Sequence, residues 1–166
     1  MAGPTMSMSR LARLKLAARL PLQWRVVTYR KASIRPYRPE DESFLFSLAR
    51  ESFGERASWS DRRTLTALET DTVFVAELGS ELAGYVAVER SGDALRIEQL
   101  LVGLLHEGEG VGRQLLEYAE GFAIAEGAEQ LEMLVEEDNR RALELCRARG
   151  FVPSEGDVYQ LTLPRR

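Results

Sequence analysis

The segment Glu107-Gly108-Glu109-Gly110-Val111-Gly112-Arg113 stands directly between a β-rich run, Ala94 to Val102, and a helical stretch, Arg113 to Glu126. Glycine lets a backbone approach a ligand closely, and a helix N-terminus offers unpaired N–H groups with a partial positive charge. A pyrophosphate fits that geometry, and so does a plain tight turn. Two familiar phosphate loops do not fit. A magnesium–nucleotide loop needs Lys followed by Ser or Thr after its last glycine, whereas Arg113-Gln114 stands here. A dinucleotide loop follows the first strand of a βαβ unit. This loop instead lies in the second half of the chain, behind what reads as an antiparallel meander.

That meander is legible from its turns. Thr72 to Leu78 and Leu82 to Glu89 are β-rich and separated by Gly79-Ser80-Glu81, and Ser91-Gly92-Asp93 turns the chain into Ala94 to Val102. Beyond the loop, a helix stopped by Gly127 leads into a strand at Gln130 to Val135. A second helix, Asn139 to Arg149, stops at Gly150, and Val158 to Leu163 reads as a closing strand. Strand, loop, helix and strand in that order form a crossover, so the sheet is mixed and the class is α/β or α+β. Upstream, Trp24 to Arg30 and Ser33 to Arg38 are short β-like runs. Phe44, Leu45, Leu48, Ala49 and Phe53 form a helical face opened by Pro39-Glu40-Asp41-Glu42, and Asp61 is the expected cap of a helix carrying Leu65 and Leu68.

The chain has 166 residues, 45% of them hydrophobic, and a net charge of −4, which suits one domain with one core. Cys146 has no second cysteine to pair with, and with His106 alone it falls short of a structural zinc set, so a reducing, cytoplasmic setting without metal is expected. The net charge averages two unlike parts. Residues 1–39 carry nine basic side chains and no acidic ones, whereas residues 40–166 carry thirteen basic and twenty-six acidic ones. Within the basic part, Arg10 to Leu20 has the spacing of a short amphipathic helix ended by Pro21. An organellar transit peptide, an upstream start, and membrane or nucleic-acid contact are its alternatives. No apolar run is long enough to cross a membrane, and the acidic remainder would repel nucleic acid.

The motifs together resemble the GNAT superfamily of acyl-CoA N-acyltransferases, whose diphosphate loop reads Gln/Arg-x-x-Gly-x-Gly/Ala five residues after a strand-ending valine. Val102 is that valine, Glu107 stands at the Gln/Arg position, and Gly110 and Gly112 match the glycines. Family members often continue with Asn-x-x-Ala-x-x-Leu-Tyr-x-x-x-Gly-Phe; Asn139, Ala142, Leu145, Gly150 and Phe151 match, with Cys146 in place of the tyrosine. Ile34-Arg35-Pro36 before Pro39-Glu40-Asp41 looks like the family's first strand entering its first helix. The resemblance covers about residues 33–163. It implies a mostly antiparallel central sheet with helices on both faces, a basic extension at 1–31 and a domain at 32–166, so removal of residues 1–30 is expected to spare turnover.

The resemblance also implies an acetyl-CoA site. The backbone of Leu100, Leu101 and Val102 would pair with the amides of the pantetheine arm where two strands splay apart. The diphosphate would lie over Gly108, Glu109, Gly110, Val111, Gly112 and Arg113, and Asn139 would hold the far side of the arm. Glu107 departs from the family's loop, and with Glu109 it adds negative charge beside the diphosphate, which predicts weaker cofactor binding, at roughly 1 kcal/mol for each close like-charge pair at a wet surface.

For catalysis the implied reaction is direct attack of a primary amine on the thioester, which needs a base. Glu98 is the favoured base, by analogy with polyamine-type members. Leu134 stands where other members place an acid, which leaves Glu132 as a weaker candidate. Cys146 is a candidate proton donor to the CoA thiolate, against the alternative of an inert buried thiol. His106 reads as an exposed loop residue, and the Val102 N–H is the expected oxyanion donor. The acceptor would be a small amine, a polyamine, or a protein N-terminus or lysine. A non-catalytic acyl-CoA sensor or scaffold is the opposing class, and a homodimer is left open.

Overall fold

The computed structural model describes residues 29–53 and 57–164, with the side chains of residues 57–60 excepted. The expectations for the basic helix at Arg10 to Leu20 and for the β-like run Trp24 to Arg30 therefore lie outside the described residues, apart from Tyr29 and Arg30, which are not in a strand.

Among the described residues seven strands form one sheet in the order β1-β2-β3-β4-β5-β7-β6. They are β1 Ser33–Pro36, β2 Thr72–Leu78, β3 Glu81–Ser91, β4 Ala94–Val102, β5 Gln130–Leu134, β6 Val152–Pro153 and β7 Val158–Thr162. Among the described residues only β4 and β5 run parallel, joined by the expected crossover. The short β6 gives no sequence signal, since two residues show no period; it exists because Val152 and Pro153 find Gln160 and Tyr159 across the turn.

Helices α1 (Glu42–Phe53) and α2 (Ala57–Thr70) cover one face, and α3 (Val111–Ala125) and α4 (Arg140–Ala148) the other. Strand alternation explains the division. Val73 and Val75 of β2 and Tyr85 and Ala87 of β3 point to Leu45, Leu48 and Ala67. Their neighbours Phe74, Ala76, Val86 and Val88 point to Leu115, Leu116, Ala119, Ala123 and Cys146. With both faces covered, β2 and β3 are buried along most of their length. Asp61 does not cap α2, which starts four residues earlier; it pairs with Arg50 of α1 at 2.7 Å instead. Among the described residues no helix is long and apolar enough to cross a membrane.

Two irregularities shape the site. Ala87 pairs with Gln99 and Val88 with Ile97, so Glu98 is an extra residue bulged out of β4. The pairing of β4 with β5 also ends at Ile97 and Met133, although β4 continues to Val102. Past that point the two parallel strands have parted.

Candidate acyl-CoA site

The gap between β4 and β5 is lined by backbone whose direction follows from one hydrogen bond. The Gly103 N–H donates to the Ala83 carbonyl at 2.9 Å. In an antiparallel ladder alternate residues face the same neighbour, so Leu101 also bonds towards β3, and the N–H and C=O groups of Leu100 and Val102 face the gap. Their side chains pack with the α3 and α4 core, whereas Leu101 packs under α1 and α2. Gly84, opposite Val102, permits β3 and β4 to approach closely here, since an added Cβ would lie 2.5 Å from the Leu101 carbonyl oxygen.

After Val102 the chain makes a short 3-10 turn, Leu104–His106, and enters the glycine loop. Gly110 is the N-cap of α3, in a left-handed conformation (φ 79°) with no side-chain cap. Among the described residues nothing accepts a hydrogen bond from the N–H groups of Gly108, Gly110, Val111, Gly112 or Arg113. The first turn of a 15-residue helix therefore presents its donors at the mouth of the gap. Gly112 sits over the end of β4, since a Cβ there would touch Val102, Leu100 and Leu145.

The two loop acids are less adverse than sequence spacing suggests, because each has a partner. Glu107 forms an ion pair with Arg141 of α4. Glu109 lies 3.0 Å from His106 Nδ1 and 4.0 Å from Arg30. His106 is not the exposed loop residue expected: it is 6% accessible, with its Nε2 also 4.0 Å from Glu81. Arg113, the loop's own cation, is hydrogen-bonded to Glu117 at 2.9 Å.

Glu98 faces the α1 and α2 side because the bulge turns it away from the face of Leu100 and Val102. Counting in twos from Val102 puts Glu98 on the wrong face, and only the bulge corrects it. Arg63 of α2 donates to the Glu98 carbonyl at 2.9 Å and lies 3.7 Å from its carboxylate. Burial pushes the Glu98 carboxyl above the ordinary glutamate range; Arg63 pulls it back, and Glu89 and Asp71 add to the rise. Burial likewise raises Asp71. Beside them Tyr85 and Gln99 form a buried hydrogen bond, with the phenol pushed up to about 12 by burial. Glu132, the weaker base candidate, is taken up by Arg96 at 2.9 Å and Gln160 at 3.1 Å.

Cys146 occupies the tyrosine position of the motif but is fully buried in the core, with its sulfur 3.7 Å from that of Met133. Burial pushes its thiol up to about 11. Asn139 caps α4, its side-chain oxygen accepting from the Ala142 N–H at 3.1 Å, so the asparagine and alanine of the motif are bonded to each other. Sequence reasoning missed Tyr29, Arg30 and Gln114, which meet at the loop; no local pattern marks them.

Comparison with known proteins agrees with this geometry. Residues 40–151 match the model of the acetyltransferase (GNAT) family. A mycothiol acetyltransferase of Jonesia denitrificans is 36% identical over 81 residues, covering 48% of this chain and 26% of that protein. A streptothricin acetyltransferase of Streptomyces lavendulae is 34% identical over 100 residues, covering 59% of this chain and 49% of that protein. The chain thus spans at most about half the length of these relatives. The crystal structure of the PaiA N-acetyltransferase from Thermoplasma acidophilum, in complex with coenzyme A, superposes with a TM-score of 0.70 at 18% identity, over 80% of this chain and 99% of that one. At that identity the likeness is one of fold. With a mixed seven-stranded sheet parted between β4 and β5, a glycine loop opening α3 at the gap, and a family match over 112 residues, the chain belongs to the acetyltransferase (GNAT) family.

Proposed function

We propose that the protein transfers an acetyl group from acetyl-CoA to a primary amine by direct attack. The observation that carries this is the parting of β4 and β5 after Ile97, which exposes the backbone of Leu100 and Val102 in line with the donors of the glycine loop. The pantetheine amides would add to β4 as a further strand, and the diphosphate would rest on the N–H groups of Gly108 to Arg113. Asn139, bound to its own helix, would border the arm rather than anchor it.

In the reaction Glu98 takes a proton from the ammonium, directly or through water, and the neutral nitrogen attacks the thioester carbonyl. The C–N bond forms, the Val102 N–H stabilises the oxyanion, and collapse breaks the C–S bond as the attacking nitrogen gives its second proton, directly or through water, to the leaving thiolate, while Glu98 returns its proton to solvent. A carboxylate raised by burial suits the base role, since it holds a proton more strongly than a solvated glutamate. Asp71 and Glu89 close by favour a cationic acceptor. The lone, buried thiol suits a reducing compartment such as the cytoplasm.

A second function, acyl-CoA sensing without turnover, draws on Cys146, which stands in place of the motif's tyrosine and is buried in the core, so that neither group is in the gap to donate a proton. A CoA-release assay over a panel of polyamines, aminoglycosides and peptide N-termini, with mass detection of products, separates the two. Acetylated amine supports the enzyme. Acetyl-CoA binding without product supports the sensor, and no acetyl-CoA binding overturns both.

A further inference from the structure

The polarity of the sheet places the start of β1 at the same end as the finish of β4. Three antiparallel pairings separate them, so β1 and β3 run one way and β2 and β4 the other. The residues that enter β1 therefore arrive beside the glycine loop. Gln114, in the first turn of α3, fixes them there: its amide donates to the Arg30 carbonyl at 2.9 Å and accepts from the Ala32 N–H at 2.8 Å. The same amide reaches the Gly110 carbonyl at 3.3 Å, which ties segment and loop together. The Tyr29 ring lies directly against Gly110, so that an added Cβ would fall 2.2 Å from its Cδ1.

Between the two segments is a cavity of about 290 Å³ lined by Tyr29, Arg30, Lys31, Arg113 and Gln114, with Gly110 and Glu117 completing it. Three of its residues are cationic and one is acidic. Glu117 is already shared between Arg113 at 2.9 Å and Arg149 at 3.2 Å. Among the described residues Arg30 has one distant ion pair, with Glu109 at 4.0 Å, and no carboxylate lies within ion-pair distance of Lys31. Such a surplus of positive charge, beside helix donors and within an acidic body, calls for an anion.

We propose that Tyr29, Arg30 and Lys31 complete the acyl-CoA site: the cavity takes the phosphates at the nucleotide end of the cofactor, with Arg30 and Lys31 facing Arg113 across them. All three residues precede the span matched by the family model. The proposal rests on the acyl-CoA reading above. It also gives the basic surplus before β1 a function at its inner end.

The test is titration calorimetry of the full chain with acetyl-CoA, comparing wild type with Arg30→Ala/Lys31→Ala at two salt concentrations. The expected result is roughly tenfold weaker binding, the loss of one or two charge-assisted hydrogen bonds, with a shallower salt dependence. In turnover, KM for acetyl-CoA should rise while kcat and the amine KM hold. Repeating the comparison with dephospho-CoA distinguishes the phosphates. A loss that persists places the cations on the diphosphate, and a loss that vanishes places them on the 3′-phosphate; both support the proposal. Should the alanine variant fail to fold, Arg30→Gln/Lys31→Gln carries the same comparison. Wild-type and variant affinities within about twofold overturn the proposal and leave the acyl-CoA reading intact. Absence of wild-type binding overturns both.

Discussion

Gly110→Ala tests the construction of the loop, because the position is constrained twice. Its φ of +79° lies in the left-handed region, where an L-residue costs about 1–2 kcal/mol. The added methyl would also fall 2.2 Å from Tyr29 Cδ1 and 2.8 Å from Cε1. Relief comes from expelling the ring, so the clash costs no more than the ring's packing. Tyr29 is 55% exposed, and half of the burial of a large side chain is worth roughly 1 kcal/mol. Together the two effects amount to about 2–3 kcal/mol, a fall in Tm of roughly 5–10 °C for a domain of this size. Urea unfolding of wild type, Gly110→Ala, Tyr29→Ala and the double variant, without CoA, separates the contributions. In the Tyr29→Ala background the glycine substitution should cost only the backbone part, about 1–2 kcal/mol. An equal cost in both backgrounds would show that Tyr29 does not sit on the loop.

Three further outcomes are expected. Glu98→Gln should reduce turnover by about 10²–10⁴. It should also flatten the rising limb of the pH–rate profile, whose wild-type midpoint lies above the ordinary glutamate range because burial disfavours the charged form; an unchanged limb assigns the base elsewhere. Cys146→Ala should leave turnover unchanged at a cost of about 1 kcal/mol in stability, and a loss of turnover without unfolding would restore the thiol as proton donor. Asp41, 2% exposed, accepts two bonds from the Arg35 guanidinium at 2.7 and 2.9 Å and one from the Arg38 N–H at 2.8 Å. Arg35, followed by Arg38, holds its carboxyl below the usual aspartate range, so the stability it contributes is present above the unfolded-state pKa and is lost as pH falls through the folded-state one. Asp41→Asn should cost roughly 2–3 kcal/mol at neutral pH, with the gap closing below about pH 4 in urea melts followed against pH.

The extent of the basic extension bears on how a truncation is drawn. Tyr29, Arg30 and Ala32 are bonded to or packed on α3 and its loop. A cut before Tyr29 preserves those contacts, whereas removal of residues 1–30 takes Tyr29 and Arg30 with it. By the proposal above, the longer deletion should show the raised acetyl-CoA KM of the Arg30→Ala/Lys31→Ala variant.

Most of the element order was legible because its signals are local. Glycines and polar turns separate the meander strands, a 3.6-residue period marks α3, and Asn139 with Ala142 forms a cap within one turn. The charge division between residues 1–39 and the remainder is equally plain from composition. Tertiary structure decided what depends on register and on chains meeting. One bulged residue puts Glu98 on the face of α2 and Arg63, where an even count from Val102 puts it on the face of α3, because the side-chain period of a strand is two. His106 is buried because Glu109 and Glu81 close around it, and Cys146 is sealed in because α4 turns it towards Met133. The end of the basic stretch reaches the glycine loop because three antiparallel pairings make β4 finish at the end of the sheet where β1 begins, and Gln114 then holds the segment. By itself the sequence determined the order of the elements and the glycine loop between β4 and α3; the fold decided that Arg141 and Arg30 stand beside Glu107 and Glu109, since those partners are dozens of residues apart along the chain.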